Sequence, residues 1–213
     1  MRIDPGTDAL LAVDLQHDFM PGGALAVAGG DELVAPIARL LPAFETVVAT
    51  QDFHPPGHVS FASAHPGHRP YETLTLPHGT QELWPDHCVR GTRGAMLHEG
   101  LPDGALTLVF RKGTRRDVDS YSTFRENAGP DGRRASTGLA EWLEARGIRR
   151  VFMCGLARDF CVKWSMLDAA EAGFEAYVLD DLTRAVFPER RAEVDELLEK
   201  AGGRIIEARE LER

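Results

Sequence analysis

Three side chains that could together run nucleophilic chemistry stand at equivalent places in this sequence. Asp14 closes ALLAVD, Lys112 closes LTLVFRK, and Cys161 follows VFMCGLARDF. Each lies at or just past the end of an apolar run with the character of a buried parallel strand. Ligands of open α/β sheets bind outside the carboxyl ends of the strands. A carboxylate, an ammonium and a thiol therefore converge on one crevice, where they can make a thiolate, hold it, and return a proton to a leaving group. The shared placement carries this reading. Taken singly, the three are an ordinary packed cysteine, a loop acid and a solvated lysine.

The cysteines are not equivalent. Cys154 lies inside VFMCG and is expected to be buried and inert, and Cys88 sits in a loop and could be either. Cys161 follows a strand and the turn GLARDF, in what reads as the first turn of a helix with Asp159 as its N-cap. A helix N-terminus favours the thiolate. Its unpaired backbone N–H groups can also face a developing oxyanion. Asp14, partly desolvated at a strand end, would have its pKa raised into a useful range for a base, and Lys112 would hold it ionised.

A second constellation follows the next apolar run. In ATQDFH, Asp52 and His54 are two apart on extended chain, so their side chains point the same way. His87, in LWPDHC, could supply a third ligand. Two imidazoles and a carboxylate leave open positions on one divalent ion. Zinc, iron and manganese all suit such a set, and the ligands do not choose among them. Non-haem iron oxygenases use a similar set, so the ligands alone do not fix the chemistry. His58 is a further candidate ligand, although a loop-ordering hydrogen bond is the favoured reading. His65, His68, His78 and His98 read as surface or loop residues.

The elements that must position these groups alternate. Ala9–Val13, Thr46–Thr50, Leu106–Phe110, Val151–Cys154 and Ala176–Leu179 read as strands, with Arg204–Ile206 as a weaker sixth. Helical patterns cover Glu32–Leu41, Thr137–Arg146, Phe160–Ala172 and Glu189–Ala201, and Gly147, Gly173 and Gly202 stand at the expected C-terminal stops. This order implies an α/β fold: a three-layer, doubly wound, mostly parallel six-stranded sheet with helices on both faces. The chain is expected to form one domain over 1–213. A long loop interrupts it at about 52–103, rich in Pro and Gly and holding seven of the eight histidines. Loops of that length are functional or disordered, and Phe53, Phe61, Tyr71 and Trp84 argue for order.

Bulk composition narrows the partners. The 213 residues are 43% hydrophobic and 27% charged, ordinary for a soluble globule. A formal net charge of −9 argues against nucleic acid, which needs a basic surface. No apolar stretch approaches a membrane span, and the N-terminus has no signal-peptide pattern. Three cysteines without framework spacing point to free thiols and the cytoplasm. Homo-oligomerisation stays open.

Five stretches, taken together, are specific: AVDLQHDFMPGGALAV (12–27), ATQDFHPPGHVSFAS (49–63), LWPDHCVRGTRGA (83–95), FRKGT with DSYSTF (110–124) and CGLARDFCVKWSMLDA (154–169). In these the chain resembles nicotinamidases of the isochorismatase-like hydrolase superfamily, in family order and over most of Ala12 to Thr183. The resemblance implies Cys161 as nucleophile, Asp14 as base, Lys112 as third catalytic residue, and Asp52, His54 and His87 as metal ligands. It implies a cis bond at Leu156-Ala157 that aims the Ala157 N–H at the oxyanion, and Phe19, Trp84 and Tyr121 as an aromatic wall around a pyridine ring. The expected substrate is a small aromatic amide. Nicotinamide would be split to nicotinate and ammonia through a thioester, and pyrazinamide would be a second substrate. The rivals are a related amidohydrolase acting on carbamoyl or ureido groups and a catalytically inactive binding protein of the same fold. His17, Arg93, Arg115, Arg116 and Arg158 depart from the usual pattern, and Arg158 is expected to reshape the pocket rim.

Overall fold

The computed structural model describes residues 1–77 and 79–212. Six strands form one sheet: β1 (Asp8–Val13), β2 (Thr46–Asp52), β5 (Leu108–Lys112), β8 (Arg150–Leu156), β9 (Glu175–Arg184) and β10 (Arg204–Ile206). Their order is β10-β9-β8-β1-β2-β5, and every neighbouring pair is parallel. All residues of β1 and β2 are buried, as they must be in strands covered on both faces. The helices are α1 (Val34–Leu40), α2 (Leu139–Glu144), α3 (Lys163–Glu171) and α4 (Arg191–Lys200). The chain moves outward from β1 to β2 and β5, then returns to β8 and proceeds the other way. Right-handed crossovers therefore put α1 on one face and α3 and α4 on the other, which is the doubly wound arrangement expected. One continuous apolar core joins Ile37 of α1, Leu10 and Leu11 of β1, Phe152 of β8, Met166 of α3 and Leu198 of α4.

Several boundaries differ from those expected. The first helix is shorter than Glu32–Leu41: a tighter 3-10 turn at Asp31–Leu33 precedes it and another at Leu41–Ala43 ends it, where Pro42 has no N–H to continue the helical hydrogen bonds. β9 is longer than Ala176–Leu179 because a register shift against β8 lets pairing resume at Thr183 and Arg184. β5 reaches Lys112 itself, which sits directly beside Asp52 of β2. The stretch 52–103 is not one irregular loop. It contains the hairpin β3 (Thr73–Leu76) and β4 (Gly79–Glu82), and isolated bridges tie His54 to Val89 and Phe61 to Trp84. A second hairpin, β6 (Arg125–Ala128) with β7 (Arg134–Ser136), follows β5. His78 lies outside the described residues. His68 is exposed and His65 and His98 are half-buried.

The switch point of the winding falls between β1 and β8, and the backbone is special on both sides of it. Asp14, just past β1, has φ of 49°, a left-handed conformation that Asp tolerates better than most residues. Gly155, opposite Val13, has φ of 103°, and a Cβ there would strike the Val13 carbonyl oxygen. Gly147 also has positive φ, 76°, but open space around it. Gly155→Ala is expected to destabilise by at least ~2 kcal/mol and Gly147→Ala by only ~1 kcal/mol. Denaturant midpoints of the two variants measure the difference.

Candidate active site

Four adjacent strands, β8, β1, β2 and β5, end at one crevice and deliver Cys161, Asp14, Asp52 and Lys112 to it in that order. Neighbouring strands lie about 4.8 Å apart. A side chain on β5 must therefore cross roughly 10 Å, over β2, to reach Asp14 past the end of β1. The long lysine side chain, the Asp14 side chain reaching back and the contact between them together span it. The Lys112 ammonium lies 2.9 Å from Asp14 Oδ2 and 3.2 Å from Cys161 Sγ, donates to the Ser120 carbonyl oxygen at 3.2 Å, and makes a short contact with Asp52 Oδ1. All four side chains are buried. Acceptor atoms of Asp14, Asp52 and Cys161 lie within 4.8 Å of one another. The ammonium among them makes that trio a cation-centred cluster rather than a metal site.

Burial sets the proton affinities here. It raises the Asp14 pKa, with the Lys112 ammonium pulling the other way. Burial also opposes ionisation of Asp52, but Lys112 and His54 outweigh it and hold that carboxyl below its usual range. Lys112 stays charged despite its burial, because Asp14 and Asp52 flank it. The Cys161 thiol is pushed well above its usual value by burial and by the two carboxylates, which together beat Lys112. This reverses the lowering expected from a helix N-terminus. Cys161 also sits not in the first α-helical turn but in a wider π-helical turn, Arg158–Val162, that precedes α3. Thr50 completes the carboxylate's surroundings, accepting from the Asp14 N–H at 3.0 Å and donating to Asp14 Oδ1 at 2.5 Å.

Asp159 is not the N-cap expected of it. Its two carboxylate oxygens accept from the N–H groups of Val186 at 2.9 Å and Phe187 at 2.8 Å, tying the segment after β9 to the nucleophile turn. Arg158 does not reach the pocket rim. It is buried behind the turn, where its guanidinium pairs with Asp195 at 2.6 Å and Asp180 at 3.1 Å and donates to Thr183 at 2.9 Å. His17 and Arg93 meet Glu99 at the surface. Cys154 is buried in β8, as expected, and Cys88 is buried too, with burial pushing both thiols up. The bond between Leu156 and Ala157 is cis.

Beside the thiol, donor atoms of Asp52, His54 and His87 lie within 4.8 Å of one another. His54 Nδ1 faces the Gly113 carbonyl at 3.0 Å and His87 Nδ1 faces that of Pro85 at 2.8 Å. A carbonyl only accepts, so each Nδ1 carries a hydrogen and each Nε2 is the nitrogen left toward Asp52 Oδ2, at 3.6 and 3.9 Å. That donor set fits a divalent ion. His58 stacks on His54 at 4.2 Å, and both its nitrogens have partners, Ser60 Oγ at 2.7 Å and the Val118 carbonyl at 3.2 Å. With Asp119, His54 and His58 form a second close set. Asp119 and Thr50 were not singled out from the sequence: each is a short polar side chain in an unremarkable context, and only the fold brings it here.

The crevice opens into a cleft lined by Phe19, Trp84, Tyr121, Ala157, Phe160 and Val186 together with Asp52, His54, His87 and Cys161. Trp84 Nε1 donates to Tyr121 Oη at 3.1 Å, and the Trp84 ring meets Phe160 edge-on at 4.8 Å. Residues 8–210 match the model of the isochorismatase domain. The chain belongs to the isochorismatase family. A nicotinamidase of Acinetobacter baylyi is 49% identical over 178 residues, 84% of this chain and 81% of that protein. Among solved structures, a nicotinamidase/pyrazinamidase of Acinetobacter baumannii superposes with a TM-score of 0.92 at 40% identity, covering 98% of this chain and 99% of that one. A pyrazinamidase of Pyrococcus horikoshii in complex with zinc gives 0.76 at 33% identity, covering 94% and 98%. This family member thus carries its acid, amine, thiol and imidazoles in one cleft walled by aromatic rings.

A metal ion entering between the imidazoles must displace the proton that Asp52 favours on His54, whose pKa is raised above 6.5 against the effect of burial. Burial and His54 together lower His87 to about 4, so its nitrogen is free at neutral pH. Metal affinity is therefore expected to fall as pH drops through the His54 range, above the His87 value. His87→Ala is expected to lose about tenfold or more in affinity at every pH. Competition with a chelator, followed by metal analysis, measures both.

Proposed function

We propose that this chain is a nicotinamidase: an amidohydrolase that splits nicotinamide to nicotinate and ammonia through a thioester on Cys161, with pyrazinamide as a second substrate. The observation that carries the reading is the contact of the buried Lys112 ammonium with Asp14, Asp52 and Cys161, beside an imidazole pair at the foot of an aromatic cleft. The relatives bearing that name support the choice among amides. The carbamoyl or ureido alternative and the inactive binding protein explain the imidazole pair and the intact acid, amine and thiol less well.

In this reading the pyridine ring lies between Phe19, Trp84 and Tyr121. Asp52, His54 and His87 would hold one divalent ion, zinc by analogy with the Pyrococcus protein, with iron or manganese as alternatives. Bound there, the ion supplies a positive charge that orients a ring nitrogen and draws electron density from the ring. Asp14, its basicity raised by burial, takes the Cys161 proton as the sulfur attacks the amide carbon. The backbone N–H groups of Ala157 and Cys161 stabilise the oxyanion. Asp14 then passes the proton to the departing ammonia, and a water deprotonated by Asp14 opens the thioester. Lys112 keeps Asp14 anionic between these transfers and fixes the distance from carboxylate to sulfur. His58 orders the loop rather than binding the ion, as its two filled nitrogens support.

The chain works as a single domain over 1–213, which its continuous core supports. It acts in NAD salvage in the cytoplasm, where three unpaired thiols are at home. Among the described residues no helix is long and apolar enough to cross a membrane, and the acidic surface does not favour nucleic acid.

Cys161→Ala is expected to abolish ammonia release from nicotinamide while keeping bound metal, and appreciable turnover by that variant would rule out the thioester route. Lys112→Met removes the charge that lowers the Asp14 pKa, so the acid limb of kcat/KM is expected to move to higher pH, with turnover falling by about 100-fold or more. A pH–rate profile of wild type and variant checks the direction.

A further inference from the structure

A second pocket, partly open to solvent, lies behind the aromatic wall, between the β3–β4 and β6–β7 hairpins and α3, and among the described residues the two share one, Tyr121. A hydrogen bond crosses the same boundary: Asp119, which lines the cleft, accepts at 2.8 Å from Gln81, which lines the second cavity. Behind Tyr121, the side chain of Asn127 faces the Tyr121 N–H at 3.5 Å from within that cavity. In front, the Tyr121 hydroxyl accepts from Trp84. Tyr121 thus stands in the partition, its hydroxyl held from the front and its backbone N–H from behind. Beyond it the apolar Leu76, Ala128 and Trp164 stand alongside Gln81, Asn127 and Arg134, a mixed lining with an aromatic face for a ring.

We propose that Tyr121 sets the size limit of the substrate. It closes the cleft around a single six-membered ring, and the space for a second ring already exists behind it. This deepens the nicotinamidase reading and rests on it. Removing the phenol ring joins the two cavities, so pyridine-3-carboxamides that carry a second ring become acceptable. Filling the rear cavity from its far side cancels the gain.

The test compares wild type, Tyr121→Ala, and Tyr121→Ala combined with Ala128→Phe. Each is assayed for ammonia release from nicotinamide, quinoline-3-carboxamide and 5-phenylnicotinamide, two extended amides whose second rings project in different directions. In Tyr121→Ala the kcat/KM ratio of at least one extended amide to nicotinamide is expected to rise by about 100-fold, and in the double variant to fall most of the way back. Ala128→Phe alone is expected to leave nicotinamide turnover unchanged. Ratios for both extended amides that stay within about threefold of wild type in a folded Tyr121→Ala protein would overturn the proposal. If that variant does not melt cooperatively, Tyr121→Leu carries the same comparison. Calorimetric binding of the three amides separates the two layers. No ammonia from nicotinamide in wild type, with tighter binding of an extended amide by the Tyr121 variant, would sink the activity and leave the partition standing. Unchanged relative affinities would sink the partition.

Discussion

One buried cation holds this site together. The Lys112 ammonium, without solvent exposure, sits against the carboxylates of both Asp14 and Asp52. Two buried carboxylates this close repel each other and are costly to desolvate, and neither would remain ionised unaided. The shared ammonium lets both keep their charge, and one of them faces the sulfur while the other faces the imidazoles. The nucleophile half and the ligand half of the cleft are therefore one electrostatic unit, and a change in either is felt through the lysine. Strand geometry makes it work, since Lys112 and Asp52 are register partners and Asp14 is one strand further on.

Around that unit the fold supplies rigidity in layers. Thr50 clamps Asp14 from β2, and carbonyls of Gly113 and Pro85 fix the two imidazole rings. Gly113 has φ of 61°, and a Cβ there would run into the His54 ring, so only glycine lets the chain pass. Asp159 ties the nucleophile turn to Val186 and Phe187, and Phe187 in turn packs against Trp84 and Phe160. The aromatic wall is thereby linked to the backbone beside the thiol through a single carboxylate. Arg158 adds a buried brace from the same turn to Asp195 of α4.

Much of this was legible because chemistry-bearing residues stand at strand ends, and buried parallel strands announce themselves by unbroken apolar runs. Asp14, Asp52, Lys112 and Cys161 were located that way, and His54 by its two-residue spacing from Asp52. The hairpins were not legible, because TLTL and GTQE are short, half-exposed and without strong alternation, and they hold their shape by pairing with each other. Asp159 was misjudged because an acid before a helical pattern is usually a cap, whereas here a contact 27 residues away claims it. Arg158 was misjudged because a charged residue beside a pocket is expected at the surface, and its acidic partners lie far along the chain. Thr50 and Asp119 carry no local signature at all. The direction of the thiol's pKa depended on burial depth, which motif spacing does not encode.

That last point bears on what happens to the enzyme between substrates. Peroxides, disulfides and electrophiles attack the thiolate, not the thiol. A sulfur that burial and two neighbouring carboxylates keep protonated is a poor target for all of them, although it sits in an open cleft. Burial thus disfavours a resting thiolate, and in the proposed reaction Asp14 takes the hydrogen as the sulfur attacks the amide carbon. Slower oxidation of the free thiol is the expected consequence of the same desolvation that raises the basicity of Asp14.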